Sequence, residues 1–445
     1  MKIVIAGAGI GGLSIAERLG KMGFHVTVYE RAQSLADMRY DWHDDADPDV
    51  FRELGIELPA EHFKKKSWTF VSPFAAVTRE FHQDETHPDF SIERRPLNRV
   101  LYERAAKVAD IVFDATVSGP LLSPGRVCGM IVNGEPVYAD LVIDSMGVDS
   151  PLRKKLPAAF GIPNYQPDEV FSVYRAFHRK NKDAPAPKYT NKVYLKHLGA
   201  AGISWAIQDH DPALVDVLIG RLGRLEPEAL SRALADLKRT DPTIGDEVAR
   251  GGILCKIPVR YPATRMVANG YTAIGDCAYM TIPMLGSGIA SSLRAAQFLA
   301  QAVQDSMARG IHGAALFDAA NLWPYQVRFF RQIGAEHCGI DVLKRGVLKL
   351  DNDLLSWMLG SDLLKNDELG KLAGGGLLTV SPAEALRKVR VAGPSRLMPL
   401  LQVNNLLQKS LLAYGCGKCI PAAYNLTTIR RWERTLRAFY SGSNG

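Results

Sequence analysis

The sequence has no uninterrupted apolar window near the roughly 18 residues that a membrane-spanning helix requires, so any contact with a bilayer has to be peripheral. Cysteine is scarce: Cys128, Cys255, Cys277, Cys338, Cys416 and Cys419 are scattered along 445 residues. That excludes a disulfide framework. Only "CGKC", Cys416 to Cys419, has a recognisable spacing, which a redox pair, half of a metal site or coincidence would each explain. No second ligand pair at matching spacing completes a metal site, and none is expected. The opening run "KIVIA" is too short for a secretory signal and meets a glycine turn with no small-residue cleavage site. The expectation is a cytoplasmic protein.

What is present is enough apolar side chain, 47% of residues against 23% charged, for a large core in two or three domains. The net charge of +7 is unevenly placed. Beyond position 385, ten Lys or Arg face one acid, Glu433, and they interleave with "LMPLLQVNNLLQKSLLAYG". An interfacial segment on anionic lipid at the inner face of the membrane has this composition, and so does a solvated helical face over an apolar one. No nucleic-acid motif accompanies the charge, so nucleic acid is not expected as a partner.

"KIVIA" reads as a buried parallel strand, "GGLSIAERLGKMG" as a helix with Leu13, Ile15, Ala16 and Leu19 towards the sheet, and "HVTVYE" as a second strand ending at Glu30. Gly7, Gly9 and Gly12 stand between the first two. Gly7 suits the tight turn, Gly9 the close approach of a diphosphate, and Gly12 the packing of helix on strand. The helix start at Ile10 supplies a positive field for phosphates. Glu30, 23 residues after Gly7 and followed by Arg31, suits a ribose hydroxyl pair. The unit binds a dinucleotide, of a kind it does not itself specify. No second fingerprint of this sort follows, so a dedicated nicotinamide domain is not expected.

Two later stretches bear on the kind. In "YTAIGDCAYMTIPMLGSGIASSLRAAQFLA" a strand ends at Gly275 and Asp276, a loop reaches Pro283, and Gly286 to Gly288 open a long helix at Ile289. This resembles the second FAD fingerprint of glutathione-reductase-type flavoproteins. "YADLVIDSMGVDSPLRKKL" places Gly147, Ser150 and Arg153 where that family has a glycine, a serine and an arginine, and "IERRPLNRVL" puts Arg94, Leu97 and Leu101 in register with its arginine helix. Together these motifs resemble the superfamily of FAD-dependent oxidoreductases that holds the geranylgeranyl reductases, the flavin halogenases and the aromatic hydroxylases such as p-hydroxybenzoate hydroxylase. The resemblance implies an α/β (α+β) fold. A Rossmann FAD-binding domain would comprise 1–62, 93–158 and 253–320, an inserted antiparallel sheet domain for substrate 63–92 and 159–252, and a mainly helical C-terminal region 321–445.

Departures from the hydroxylase pattern favour reduction over oxygenation. Met146 stands where hydroxylases carry an aspartate, and Cys277, Ala278 and Tyr279 where they carry a histidine. "ISWAIQ" keeps Trp205 of the halogenase stretch without its first tryptophan or its proline. The expected reaction is hydride transfer from reduced FAD to a C=C bond of an isoprenoid, polyprenyl or quinone-like substrate, with NAD(P)H or a small electron carrier as reductant. Hydroxylation of an aromatic substrate with NAD(P)H and O₂ is the alternative, and a non-catalytic prenyl-binding role the second alternative. The reductases' cysteine segment is missing; "DWHDD" occupies the neighbourhood, and His43, Asp41, Asp44 or Asp45 could give the proton. Asp45 or Asp47 could instead cap the helix that follows. Trp205, Tyr279, Met280, Pro283 and Met284 are expected to line an apolar substrate pocket.

Overall fold

A computed structural model describes residues 1–445 apart from 39, 65, 66, 83–89, 209 and 442–445. The run "KIVIA" forms the strand Lys2–Ala6, buried from Ile3 to Ala6. Its β-branched residues suit a strand covered on both faces. Parallel partners flank it, His25–Tyr29 on one side and Leu141–Asp144 on the other. Among the described residues the six-stranded sheet runs Val267–Ala268, Tyr271–Ala273, Leu141–Asp144, Lys2–Ala6, His25–Tyr29, Asp110–Val112. The helix Ile10–Lys21 buries Leu13, Ile15, Ala16 and Leu19, and the helix Ile289–Ala308 packs beside it. Gly12 lets the first helix close onto the glycine turn: a Cβ there would lie 2.2 Å from the Gly7 carbonyl oxygen.

A seven-stranded sheet stands over this layer in the order Ile244–Pro258, Val170–Lys180, Leu214–Leu222, Gly202–Ile207, Asn191–Leu195, Ser67–Val71, Thr78–His82. Period-two alternation divides its side chains. On one face Val215, Val217 and Ile219 pack with Ala233 and Leu237 of the helix Pro227–Thr240. On the other, Val173, Phe177 and Leu218 pack with Trp42.

The "DWHDD" acids, expected in a loop, lie largely in a strand, His43–Ala46, paired antiparallel with Phe90–Glu93. Sequence propensity argues against an acidic strand, and the ladder with Phe90–Glu93 overrides it. Asp47 caps the helix Pro48–Leu54, accepting from the Asp49 amide at 2.9 Å.

The C-terminal part is helical: Ala319–Phe329, a π turn Phe330–Gly334, Ala335–Lys349, Asn352–Gly360, Asn366–Ala373, Pro382–Lys418 and Leu426–Arg437. The helix Asn366–Ala373 ends at the three glycines 374–376, and Pro382–Lys418 breaks at Gly393 (φ 58) before Pro394. Arg79, on the sheet's edge strand, donates to the carbonyls of Leu359, Ser361 and Leu364 at 3.2, 3.1 and 2.6 Å. These bonds satisfy carbonyls at a helix end and fix Asn352–Gly360 as a roof against the sheet. Among the described residues no helix is long and apolar enough to cross a membrane.

Candidate functional site

Two helix N-termini and three strand ends converge on one cavity of about 1620 Å³. Its first part is the glycine turn. Gly7 adopts φ +93, a left-handed conformation that side chains resist, and turns the chain from the strand into the helix. A Cβ on Gly9 would meet nothing nearer than 3.8 Å, so Gly9 opens onto the cavity. The helix Ile10–Lys21 has no side-chain cap and no acid in its first turn. Its free N–H groups and positive dipole end suit a diphosphate. Glu30 accepts from the Ala8 amide at 2.8 Å and the Ala32 amide at 3.0 Å, which ties the glycine turn to the end of the second strand. Its carboxylate and Arg31 both reach the cavity.

The second part is the start of the helix Ile289–Ala308, again without a cap or a first-turn acid. Gly286 (φ +76), Gly288 and Ile289 line the cavity with Gly275, Asp276 and Gly147. Ser287 Oγ donates to the Asp45 carbonyl at 2.6 Å and pins this turn against the acidic strand. Burial pushes the Asp276 carboxyl up to about 6, against the pull of Arg94 and with the help of Asp44. Arg94 Nη1 binds Asp44 at 3.0 Å, while its Nε is buried without a partner. A buried, unpaired donor on a cavity wall calls for an acceptor from a ligand. Two uncapped helix ends, an open glycine turn and this orphan donor fit an FAD molecule laid from Glu30 to Asp276.

Beyond Asp276 the walls change character. Arg175, fully buried in the sheet, gives its Nε and Nη2 to the two oxygens of Asp216 at 3.1 and 2.7 Å. Its Nη1 reaches the His43 carbonyl at 2.7 Å and Asp44 at 3.2 Å. The guanidinium lies 5.6, 5.6 and 5.2 Å from the Trp42, Phe177 and Trp205 rings. Burial alone would raise the Asp216 carboxyl, yet the Arg175 charge and the His43 ring hold it far below the usual range. His43 is enclosed too: Nδ1 stands 2.9 Å from Ser91 Oγ, while Nε2 lies 3.2 Å from Asp216 without a well-aligned hydrogen bond. Burial draws its pKa down despite Asp216, so the ring is neutral at pH 7. Trp205 Nε1 is buried with no partner.

The far end is almost wholly apolar. Trp68, Phe70, Val193 and Leu195 of the sheet face Leu355, Met358 and Leu359 of the roof helix and Leu369 and Leu372 of the next one. A volume above the roughly 300–1,000 Å³ of an ordinary single-ligand pocket leaves room for a second ligand beside a dinucleotide.

Residues 5–70 match a family model described as an NAD(P)-binding Rossmann-like domain. Over 398 residues, 85% of this chain and 95% of the relative, the sequence is 24% identical to a digeranylgeranylglycerophospholipid reductase of Methanothrix thermoacetophila. A protein of the same name from Sulfolobus acidocaldarius is 25% identical over 323 residues, 70% of each chain. Among solved structures, a geranylgeranyl bacteriochlorophyll reductase-like protein from Thermoplasma acidophilum superposes with a TM-score of 0.70 at 17% identity, covering 90% of this chain and 98% of that one. The chain is similar to digeranylgeranylglycerophospholipid reductases over most of its length and shares the fold of the geranylgeranyl bacteriochlorophyll reductase-like structure.

The cavity collects Gly7, Gly9, Ile10, Glu30, Arg31, Arg94, Gly147, Gly275, Asp276, Gly286, Gly288 and Ile289, and also His43, Asp44, Trp205 and Met284. Gly12 lies one layer behind the turn. Pro283 and Met280 are buried off the lining, with Met280 Sδ accepting from the Gly275 amide at 3.2 Å. Tyr279 points elsewhere: its hydroxyl donates to the Pro163 carbonyl and its ring lies 4.8 and 4.7 Å from the Arg153 and Arg260 guanidiniums. The cause is local, since Tyr279 takes a left-handed backbone (φ 57) at the end of the Gly275–Ala278 turn. Asp41 stands off the lining at 3.6 Å from Arg95 and 3.5 Å from Arg250. Cys416 and Cys419 are free thiols.

Sequence reading missed Arg175, Asp216 and the leucines of the C-terminal helices. Arg175 had a signal: it occupies the apolar phase of "VFSVYRAFHRK", between Val173 and Phe177, where a charge needs a buried partner. The leucines had none, because only packing shows which helical face meets the sheet.

Proposed function

We propose that this flavoprotein reduces carbon–carbon double bonds in an isoprenoid-type apolar chain that lies in the far end of the cavity, with NAD(P)H or a small electron carrier as reductant. The carrying observation is the continuity of the cavity from the glycine turn past Arg175 and Trp205 to Trp68, Leu359 and Leu369. Bound FAD supplies two-electron hydride transfer to and from carbon. Residues of the chain do the rest. The uncapped start of Ile289–Ala308 stabilises negative charge at the cofactor's reacting end, and the leucines exclude water around the alkene.

Hydride on one alkene carbon requires a proton on the other. His43, neutral, held by Ser91 and seated beside Asp216, is better suited to supporting the Asp216–Arg175 pair than to giving up a proton. Asp44 is bound to both Arg94 and Arg175, so its carboxyl oxygens are already engaged. Water entering along Asp37, Asp45 and Asp47, which line the cavity, is the proton source in this reading.

The test is anaerobic turnover of the reduced holoprotein with polyprenyl alcohols, quinones and aromatic acids. Reoxidation of the flavin by a polyprenyl alkene, with the saturated product found by mass spectrometry, is expected. Reoxidation by O₂ alone, with hydroxylation of an aromatic acid, would overturn the reading. His43→Asn is expected to keep turnover within about tenfold of wild type; complete loss with flavin retained would return the proton to His43.

A further inference from the structure

The roof helix Asn352–Gly360 has three occupied sides. Leu355 and Leu359 face the cavity, Leu354 packs with Leu400 and Ala392 of the long helix, Met358 meets both, and Ser356 Oγ donates to Ser72 Oγ at 3.1 Å beside the turn Pro73–Ala75. Helical spacing leaves Asp353 and Trp357 on the fourth, outward side, with the Arg396 guanidinium 5.6 Å from the Trp357 ring. Elements packed around this helix carry exposed apolar groups: Phe74 is 68% exposed and Leu198 42%, at the tips of two adjoining turns, and on the long helix Met398 is 68% and Leu401 46% exposed.

Both tips are held out at a conformational cost. Phe74 and Leu198 have φ of 56° and 57°, as do their neighbours Ala75 (55°) and Lys196 (44°), in a region that side chains other than Gly, Asn and Asp avoid. The turns brace each other, since a Cβ on Gly199 would come within 2.8 Å of the Phe74 ring. Charge identifies what such a surface meets. After Glu384 the long helix carries six Lys or Arg and no acid, and among the described residues Arg390, Arg396 and Lys409 have no carboxylate partner. Apolar tips, an arginine-covered tryptophan and unpaired cations form an interfacial surface for anionic lipid.

The geometry points to a bilayer-docking face in which Phe74, Leu198, Met398 and Leu401 enter the headgroup region around Trp357 and Arg396, one helix away from the apolar end of the cavity. It rests on the proposed reading in that a lipid-resident substrate would enter there. The mechanism is passive: docking sets the roof helix against the headgroup region, and the substrate crosses one helix thickness without passing through bulk water.

Flotation of the FAD-loaded full chain with phosphatidylcholine vesicles, with and without phosphatidylglycerol, tests it. Wild type is expected to float with the anionic vesicles and to be released by raised salt. Phe74→Asn with Leu198→Asn removes the apolar tips while supplying a residue that accepts the left-handed backbone. Its partition is expected to drop about tenfold or more with an unchanged or raised melting temperature. Arg396→Gln is expected to fall between the two. Absence of flotation by wild type, or equal flotation by the double variant, would overturn the proposal. So would a wild-type dimer that the double variant dissolves, since the face would then meet a second copy. Reduction of a polyprenyl alcohol dispersed in detergent separates the two readings: with docking intact and no alkene reduced, the enzymatic proposal fails and this one stands.

Discussion

Replacing Arg175 by Met retains most of the side chain's volume and removes the cation that neutralises Asp216. In the wild type Asp216 is fully buried, accepts two bonds from Arg175, and stands 3.2 Å from His43. Removing one partner of such a pair strands a charge and costs about 3–5 kcal/mol. The sign of the pH dependence follows. The folded pKa of wild-type Asp216 is depressed, so its contribution is complete above the unfolded pKa and is lost only in strong acid. Between pH 5 and 8 this group gives wild type no slope. In Arg175→Met, burial acts on Asp216 with only His43 to oppose it, and a proton settles on one of the two. The folded state then binds a proton that the unfolded state at high pH does not, so the deficit relative to wild type is largest at pH 8 and shrinks towards pH 5. The gain is at most about 1.4 kcal/mol per pH unit. Guanidinium unfolding of the apoprotein followed by circular dichroism at both pH values measures it. Arg175→Met with Asp216→Leu is expected to recover most of the loss. A deficit under about 1 kcal/mol at pH 8, an identical deficit at pH 5, or a double variant no better than the single one would refute the reasoning.

Gly12→Ala places a Cβ 2.2 Å from the Gly7 carbonyl oxygen, so the purified protein is expected to lose its flavin absorbance; a fully yellow variant would contradict this packing. Asp276, with a folded pKa raised to about 6, stabilises the apoprotein below the unfolded pKa and loses that contribution as pH rises through 6. The apoprotein's melting temperature is therefore expected to fall between pH 5 and 7, and Asp276→Asn to flatten that slope. Leu369→Trp fills the apolar end of the cavity, far from the glycine turn. It is expected to raise KM for long polyprenyl substrates at least tenfold while flavin content and short-alkene turnover stay within about twofold; an equal effect on both substrates would argue against a tail-binding end.

The glycine turn and its two strands were legible because each demand there is local. A left-handed φ at Gly7 and a 2.2 Å approach at Gly12 admit few other residues, and the strand and helix periods on either side read directly from Lys2 to Tyr29. Gly286 and Gly288 before a long apolar-faced helix were legible for the same reason. Residue type misled at Tyr279, whose side chain the left-handed turn directs to Pro163, and at "DWHDD", where pairing with Phe90–Glu93 makes a strand of acids.

By itself, then, the sequence determined a dinucleotide turn, a second helix start carrying Asp276, and a basic helical C-terminal region, because backbone sterics and periodicity act over short separations. Tertiary structure alone decided that Arg175 meets Asp216 across neighbouring strands, and that Leu355, Leu359 and Leu369 close an apolar end to the cofactor's cavity. Those contacts join residues 40 to nearly 300 positions apart, and burial of a charge or an apolar face is a property of the surroundings rather than of the residue.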